Sequence, residues 1–90
     1  MYFKKILELY QLKKINGNFP RKKKVVLCHG VFDIVHPGHI RHLGYAKSQA
    51  ETLIVSCTGD KFIDKGIYRP HIPQNMRASN LAAFEMVDYV

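Results

Sequence analysis

The sequence predicts an α/β fold built on a parallel sheet, and three observations predict it. Val25–His29 and Leu53–Cys57 are short, continuously apolar, β-branched runs, as expected of strands covered on both faces. The segment between them carries a helical stripe at Ile40, Leu43, Ala46 and Ala50. A strand, a helix of about 12 residues and a second strand form a βαβ unit, and that unit requires parallel pairing.

The elements follow in order. Residues 2–14 read as an amphipathic helix, with Phe3, Ile6, Leu7 and Tyr10 at helical spacing and Lys4, Glu8 and Lys14 elsewhere on the wheel. Asn16, Gly17 and Asn18 supply stop signals. Phe19, Pro20 and the run RKKK form a basic connector, so residues 1–24 stand apart from residues 25–90. After the first strand, residues 30–38 form a turn rich in glycine and proline signals, and the helix runs from His39 to about Ala50. Thr58–Pro73 is a polar loop. A helix is expected from Gln74 to Glu85, entered from Pro73 and offering Met76, Leu81, Ala83 and Phe84 as apolar surface. Met86–Val90 reads as a third strand. Three parallel strands make about half of a doubly wound sheet, so the fold is expected to be incomplete, an N-terminal fragment of a larger domain.

Composition narrows the function classes. With 47% hydrophobic and 23% charged residues, the chain is globular in character. Its apolar runs all fall far short of the ~20 residues a membrane span needs. Lysines interrupt the apolar residues of MYFKKILELYQLKK, so it is no secretory signal. Cys28 and Cys57 each sit inside an apolar run and read as buried reduced thiols, which suits the cytoplasm. The net charge of +7 is confined to residues 1–24, where eight basic residues face Glu8 alone. In residues 25–90 six basic residues balance six acidic ones. A neutral motif-bearing region argues against a nucleic-acid partner, and RKKK reads as a solvated charge run.

The chemistry concentrates in GVFDIVHPGH, Gly30 to His39. In an open α/β sheet, ligands bind beyond the carboxyl ends of the strands. The helix that follows directs its free N–H groups and positive dipole end there, a place suited to phosphate. The sequence has neither G-x-x-x-x-G-K-[ST] nor G-x-G-x-x-G. Instead Gly30 and Gly38 permit close backbone approach, and His36 and His39 bring two imidazoles to the same helix end. Each ring can donate a directional hydrogen bond, and either can become cationic near a polyphosphate. Phosphoryl and nucleotidyl transfer need in-line positioning and compensation of charge on the phosphorus oxygens, which paired donors supply.

GVFDIVHPGHIRHL resembles the G-x-F-D-x-x-H-x-G-H signature of the cytidylyltransferase-like nucleotidyltransferase family. TGDKFIDKG, the Arg69-Pro70 pair and NMRASNLAAFEMVDYV extend the resemblance over about three quarters of the chain. They point to the branch acting on sugar phosphates, which includes heptose-1-phosphate adenylyltransferase relatives. The resemblance implies a Rossmann-like, three-layer parallel sheet of the HUP type, with residues 25–90 as the N-terminal half of the domain. It implies transfer of AMP or CMP from ATP or CTP to a sugar phosphate or similar small phosphate, with release of pyrophosphate and with Mg2+ accompanying the NTP. His36, His39 and Lys65 would be catalytic. Gly30, Val31, Phe32, His36, Gly38, His39 and Arg77 would form the nucleotide site, with Arg77 helping to arrange it. Asp33 would hold the turn, and Asp60 is a weaker candidate. The family's later motif, rich in serine and threonine, has no counterpart in residues 1–90. The family pattern leaves room for a homodimer and for a fused sugar-kinase-like domain.

Two rival readings stand beside this one. Cys28, His29, His36, His39 and His42 crowd one region and are zinc-ligand types, yet Cys28 and His29 are strand neighbours and point to opposite faces. The chain could also be a non-catalytic nucleotide-binding or interaction fragment, acting through its basic N-terminal helix. His42 reads as a solvent-facing helix residue, His29 as a satisfied strand end, and His71 and Lys61 as loop residues.

Overall fold

A computed structural model of the chain describes residues 2–16, 24–63 and 71–90. The expected stop at Gly17 and Asn18, most of the basic connector, and Lys65, Arg69 and Pro70 lie outside the described residues.

Strands β1 (Val25–Gly30) and β2 (Thr52–Cys57) pair in parallel, with Val25 opposite Thr52 and Gly30 opposite Cys57. Helix α2 (Pro37–Ser48) connects them. The register fixes the faces. Val26 and Cys28 of β1 lie beside Leu53 and Val55 of β2, and Cys28, Leu53 and Val55 join a core with Leu43 of α2, Leu81 and Val87. Three consecutive residues of β2, Leu53 to Val55, are buried, as a strand covered on both faces requires. β1 departs from that expectation. Its other face, Val25, Leu27 and His29, is exposed, with Leu27 62% accessible.

Long-range contacts redraw three other elements. The N-terminal helix expected over residues 2–14 is split into a 3-10 turn at Tyr2–Lys5 and helix α1 (Leu9–Asn16). Between them the backbone pairs with the far end of the chain: the Leu7 N–H donates to the Val90 carbonyl at 2.8 Å, and the Val90 N–H to the Lys5 carbonyl at 2.9 Å. Those groups cannot also continue a helix. The third strand is reduced to a parallel bridge between Ile54 and Tyr89. Phe84 to Val87 coil as turns first, and the Asp88 carboxylate accepts the Leu53 N–H at 2.7 Å. Helix α3 (Gln74–Ala82) stops before Glu85 and buries Arg77, Leu81 and Ala82, while Met76 and Ala83 are exposed.

The result is an incomplete Rossmann-like α/β arrangement, with the carboxyl ends of β1 and β2 opening toward the turn that carries the histidines. Among the described residues no helix is long and apolar enough to cross a membrane.

Candidate active site

The site is built on the start of α2. The helix begins at Pro37, two residues before the expected His39, because His36 is its N-cap. His36 is extended (φ −124°, ψ 171°), and Pro37 at the first helical position has no N–H to leave orphaned. The His36 ring accepts the Gly38 N–H at Nδ1, 3.0 Å away. The His36 N–H in turn donates to Nδ1 of His39 at 3.2 Å. The pair forms a reciprocal capping box in which imidazoles replace the usual hydroxyl and carboxylate. Their rings stack, centroids 3.8 Å apart and planes 28° from parallel.

Behind the histidines lies Phe32. Its φ of 51° is a left-handed value that a bulky residue adopts only under local constraint. The ring is buried and meets His39 edge-on, with centroids 5.4 Å apart. Gly30 makes that possible: a Cβ there would stand 2.9 Å from the Phe32 ring. A Cβ on Gly38 would stand 2.8 Å from the His36 ring. Both glycines therefore make room for aromatic side chains. Val31, Phe32, Asp33, His36, His39 and Ile63 line a cavity of about 380 Å³.

A second group of residues holds the walls. Arg77 is wholly buried. Its Nε donates to the Ile72 carbonyl at 2.8 Å, and Nη1 to the Val31 and Thr58 carbonyls at 2.8 and 2.7 Å, with Cys57 Sγ at 3.2 Å. Nη2 pairs with Asp60 at 2.6 Å. One guanidinium thus ties the exits of both strands to the loop before α3. The Gln74 N–H and the Arg77 guanidinium hold the Asp60 carboxyl below the usual carboxylate range. Asp33 closes the other side, its two oxygens accepting the N–H groups of His71 and Ile72 at 2.9 Å each. Burial, with His36 and His42 nearby, lowers the His39 imidazole's pKa below its ordinary value. Burial pushes the Cys57 thiol up.

A fold that points a paired imidazole cap and a cavity beyond the carboxyl ends of its strands matches a known family model, cytidylyltransferase-like, over residues 27–90. The chain belongs to the cytidylyltransferase-like family. It is 40% identical over 78 residues to the bifunctional protein HldE of Geobacter metallireducens, covering 84% of this chain and 16% of that protein. The HldE of Campylobacter jejuni subsp. jejuni serotype O:2 is 46% identical over 85 residues, 92% of this chain and 17% of that one. That of Nitratiruptor is 44% identical over 72 residues, 78% and 16% respectively. This cytidylyltransferase-like chain therefore spans about a sixth of the length of these relatives.

Of the residues singled out in the sequence, the structure brings Val31, Phe32, His36 and His39 to one cavity, with Gly30 and Gly38 packed beneath the rings. Lys65 lies outside the described residues. Arg77, expected in the nucleotide site and to help arrange it, is fully buried, with Nε, Nη1 and Nη2 each bonded to protein acceptors that form the cavity walls. The sequence reading missed the extent of its burial and the role of Asp60 as its partner. A signal existed: Arg77 lies four residues before Leu81, on the helix face that carries the core. His29 stands 2.9 Å from Ser56 Oγ and 3.3 Å from Thr58 Oγ1, a satisfied strand end, and His42 is exposed. Cys28 is buried while His29 is exposed on the opposite face. Among the described residues no three His, Cys, Asp or Glu side chains are grouped to hold a metal.

Proposed function

We propose that this chain provides the triphosphate-gripping part of a nucleotidyltransferase that moves AMP or CMP from an NTP to a sugar phosphate or similar small phosphate. The observation that carries the proposal is the stacked pair of His36 and His39, held by the helix's own amides at the mouth of the cavity. An acceptor phosphate oxygen attacks the α-phosphorus. The new P–O bond forms as the bond to the bridging oxygen breaks, and pyrophosphate leaves with that electron pair. No enzyme-bound covalent intermediate is needed. The two imidazoles donate to phosphate oxygens as charge builds on them. Lys65 would add a further phosphate contact. Mg2+ enters with the triphosphate. Both oxygens of Asp33 hold amides and Asp60 holds Arg77, so phosphate oxygens and water would provide most of the ion's ligands. The relatives' name, bifunctional, supports a second catalytic domain in the parent protein, and the resemblance makes it sugar-kinase-like. The two free cysteines fit a reducing cytoplasm.

The test is pyrophosphate release from ATP and CTP against a panel of sugar phosphates, using the longest reading frame that contains these residues. Activity with one nucleotide and one acceptor class is expected. His39→Ala should lower turnover by about 10²–10³-fold, the loss expected when one preorganised donor is removed. Unchanged turnover in that variant would overturn the role given to the pair. A chain that binds no nucleotide by calorimetry would instead be an interaction fragment.

A further inference from the structure

The capping box says more about the histidines than where they sit. A neutral imidazole has one N–H and one lone-pair nitrogen, and which is which is ordinarily free to exchange. Here both Nδ1 atoms face backbone amides, from Gly38 at 3.0 Å and from His36 at 3.2 Å. A backbone amide can only donate. Each Nδ1 must therefore be the lone-pair nitrogen, and each ring proton must sit on Nε2. Among the described residues neither Nε2 has a hydrogen-bond partner.

Protonation of His39 is opposed by the same geometry. An imidazolium carries a proton on Nδ1 as well, which would set N–H against N–H and break the cap. Two cations would face each other across a 3.8 Å stack, at the positive end of α2. The lowered proton affinity of His39 agrees with this.

We infer that the backbone of α2 locks both histidines as Nε2–H donors, so that the amides of Gly38 and His36 are positioning groups for the reaction. The inference rests on the reading of His36 and His39 as phosphate ligands. It replaces rings free to exchange tautomers with donors that are oriented before any ligand arrives. That is the preorganisation on which transition-state stabilisation depends. The arrangement is also asymmetric. The His36 ring is held by Gly38, and the His39 ring by the backbone of His36. A change that displaces the first ring should leave the second in place.

Gly38 supplies the lever. A methyl there would stand 2.8 Å from Cε1 and 2.9 Å from Nδ1 of His36, while alanine in a helix is otherwise favoured over glycine. Gly38→Ala should thus expel the His36 ring from its cap and spare the helix. The experiment is long-range proton–nitrogen NMR of the ¹⁵N-labelled chain near pH 8, without ligand. His36 and His39 should each show a pyridine-type Nδ1 and a pyrrole-type Nε2, while the exposed His42 shows averaged values. In Gly38→Ala the His36 signals should move to averaged values and those of His39 should stay. Averaged, Nδ1-protonated or imidazolium signals in the parent chain would overturn the inference, as would an unmoved His36 in the variant. Adding Mg·ATP or Mg·CTP to the same samples tests the underlying reading separately. Locked tautomers that do not respond to either nucleotide would sink the phosphate-ligand role and leave the tautomer assignment standing.

Discussion

At the carboxyl edge of the sheet, the two histidine rings and the segments that wall them in are held in opposite ways. The histidine rings are fastened locally, by bonds that span two and three residues, and remain accessible. The segments that wall them in, Val31 after β1 and Thr58 and Asp60 after β2, are fastened globally, by one buried guanidinium whose bonds reach from 5 to 46 residues along the chain. The difference follows from what each charge-bearing group must do. A ligand donor has to keep one polar atom open to the cavity, so only backbone amides close by can orient it. A buried arginine is tolerated only when its donors find acceptors, and here those acceptors are the carbonyls that shape the cavity walls.

Substituting each holder separates the two modes. Arg77→Ala should have the largest effect. It orphans the Val31, Thr58 and Ile72 carbonyls, leaves a cavity, and should cost about 3 kcal/mol or more, given about 1–3 kcal/mol for each unsatisfied buried group. Arg77→Lys should recover little of this, since one ammonium cannot span the same acceptors. His36→Ala removes a cap and an accessible ring stack and should cost about 1 kcal/mol. Urea denaturation of the three variants checks the ranking. Equal losses for Arg77→Ala and His36→Ala would show that the guanidinium is not the main tie.

The same contrast explains what could be read from the sequence. The β1–turn–α2 unit was legible because its determinants are local: an apolar run, two glycines, two histidines and a helical stripe. Even the misplaced helix start has a local reason, since a histidine N-cap is an unusual signal and Pro37 hides the first turn. Arg77 was legible as an arrangement residue on a helix, but its burial depends on carbonyls from three separate segments, which no window on the sequence contains. The N-terminal helix failed for a similar reason. Lys5 and Leu7 pair with Val90 at the opposite end of the chain, and that pairing overrides local helical periodicity. Leu27 carried a strand signal without the information that one face of β1 is exposed.

A smaller perturbation tests how firmly the histidine turn is packed from behind. Gly30→Ala places a methyl 2.9 Å from the Phe32 ring, which is buried and already in a left-handed conformation. Overpacking of this kind costs about 1–3 kcal/mol. The ring cannot shift without altering its edge contact with His39, so the His39 proton resonances should move along with the loss of stability. Stability lost with His39 unmoved would mean that Phe32 supports the core alone and does not seat the histidine.

The weakest expected effect, on acidification, distinguishes the regions by pH window. His39 binds a proton less readily in the folded chain than its ordinary pKa of about 6.5 implies. Between the folded and unfolded values the unfolded state binds more protons, so stability rises with pH there. The contribution is present above about 6.5 and erodes as pH falls below it. Asp60 is also lowered, from an ordinary value near 3.9, by the Gln74 amide and Arg77. Its contribution is present above that value and is lost as pH falls through the folded pKa. Acid titration of stability should therefore show an upper step from the histidine turn and a separate lower step from the arginine tie. His39→Gln should remove the His39 part of the upper step and spare the lower, and Asp60→Asn the reverse. If either variant altered both steps together, the two regions would be coupled through the cavity wall that Val31 shares between them, and local fastening alone would not describe the turn.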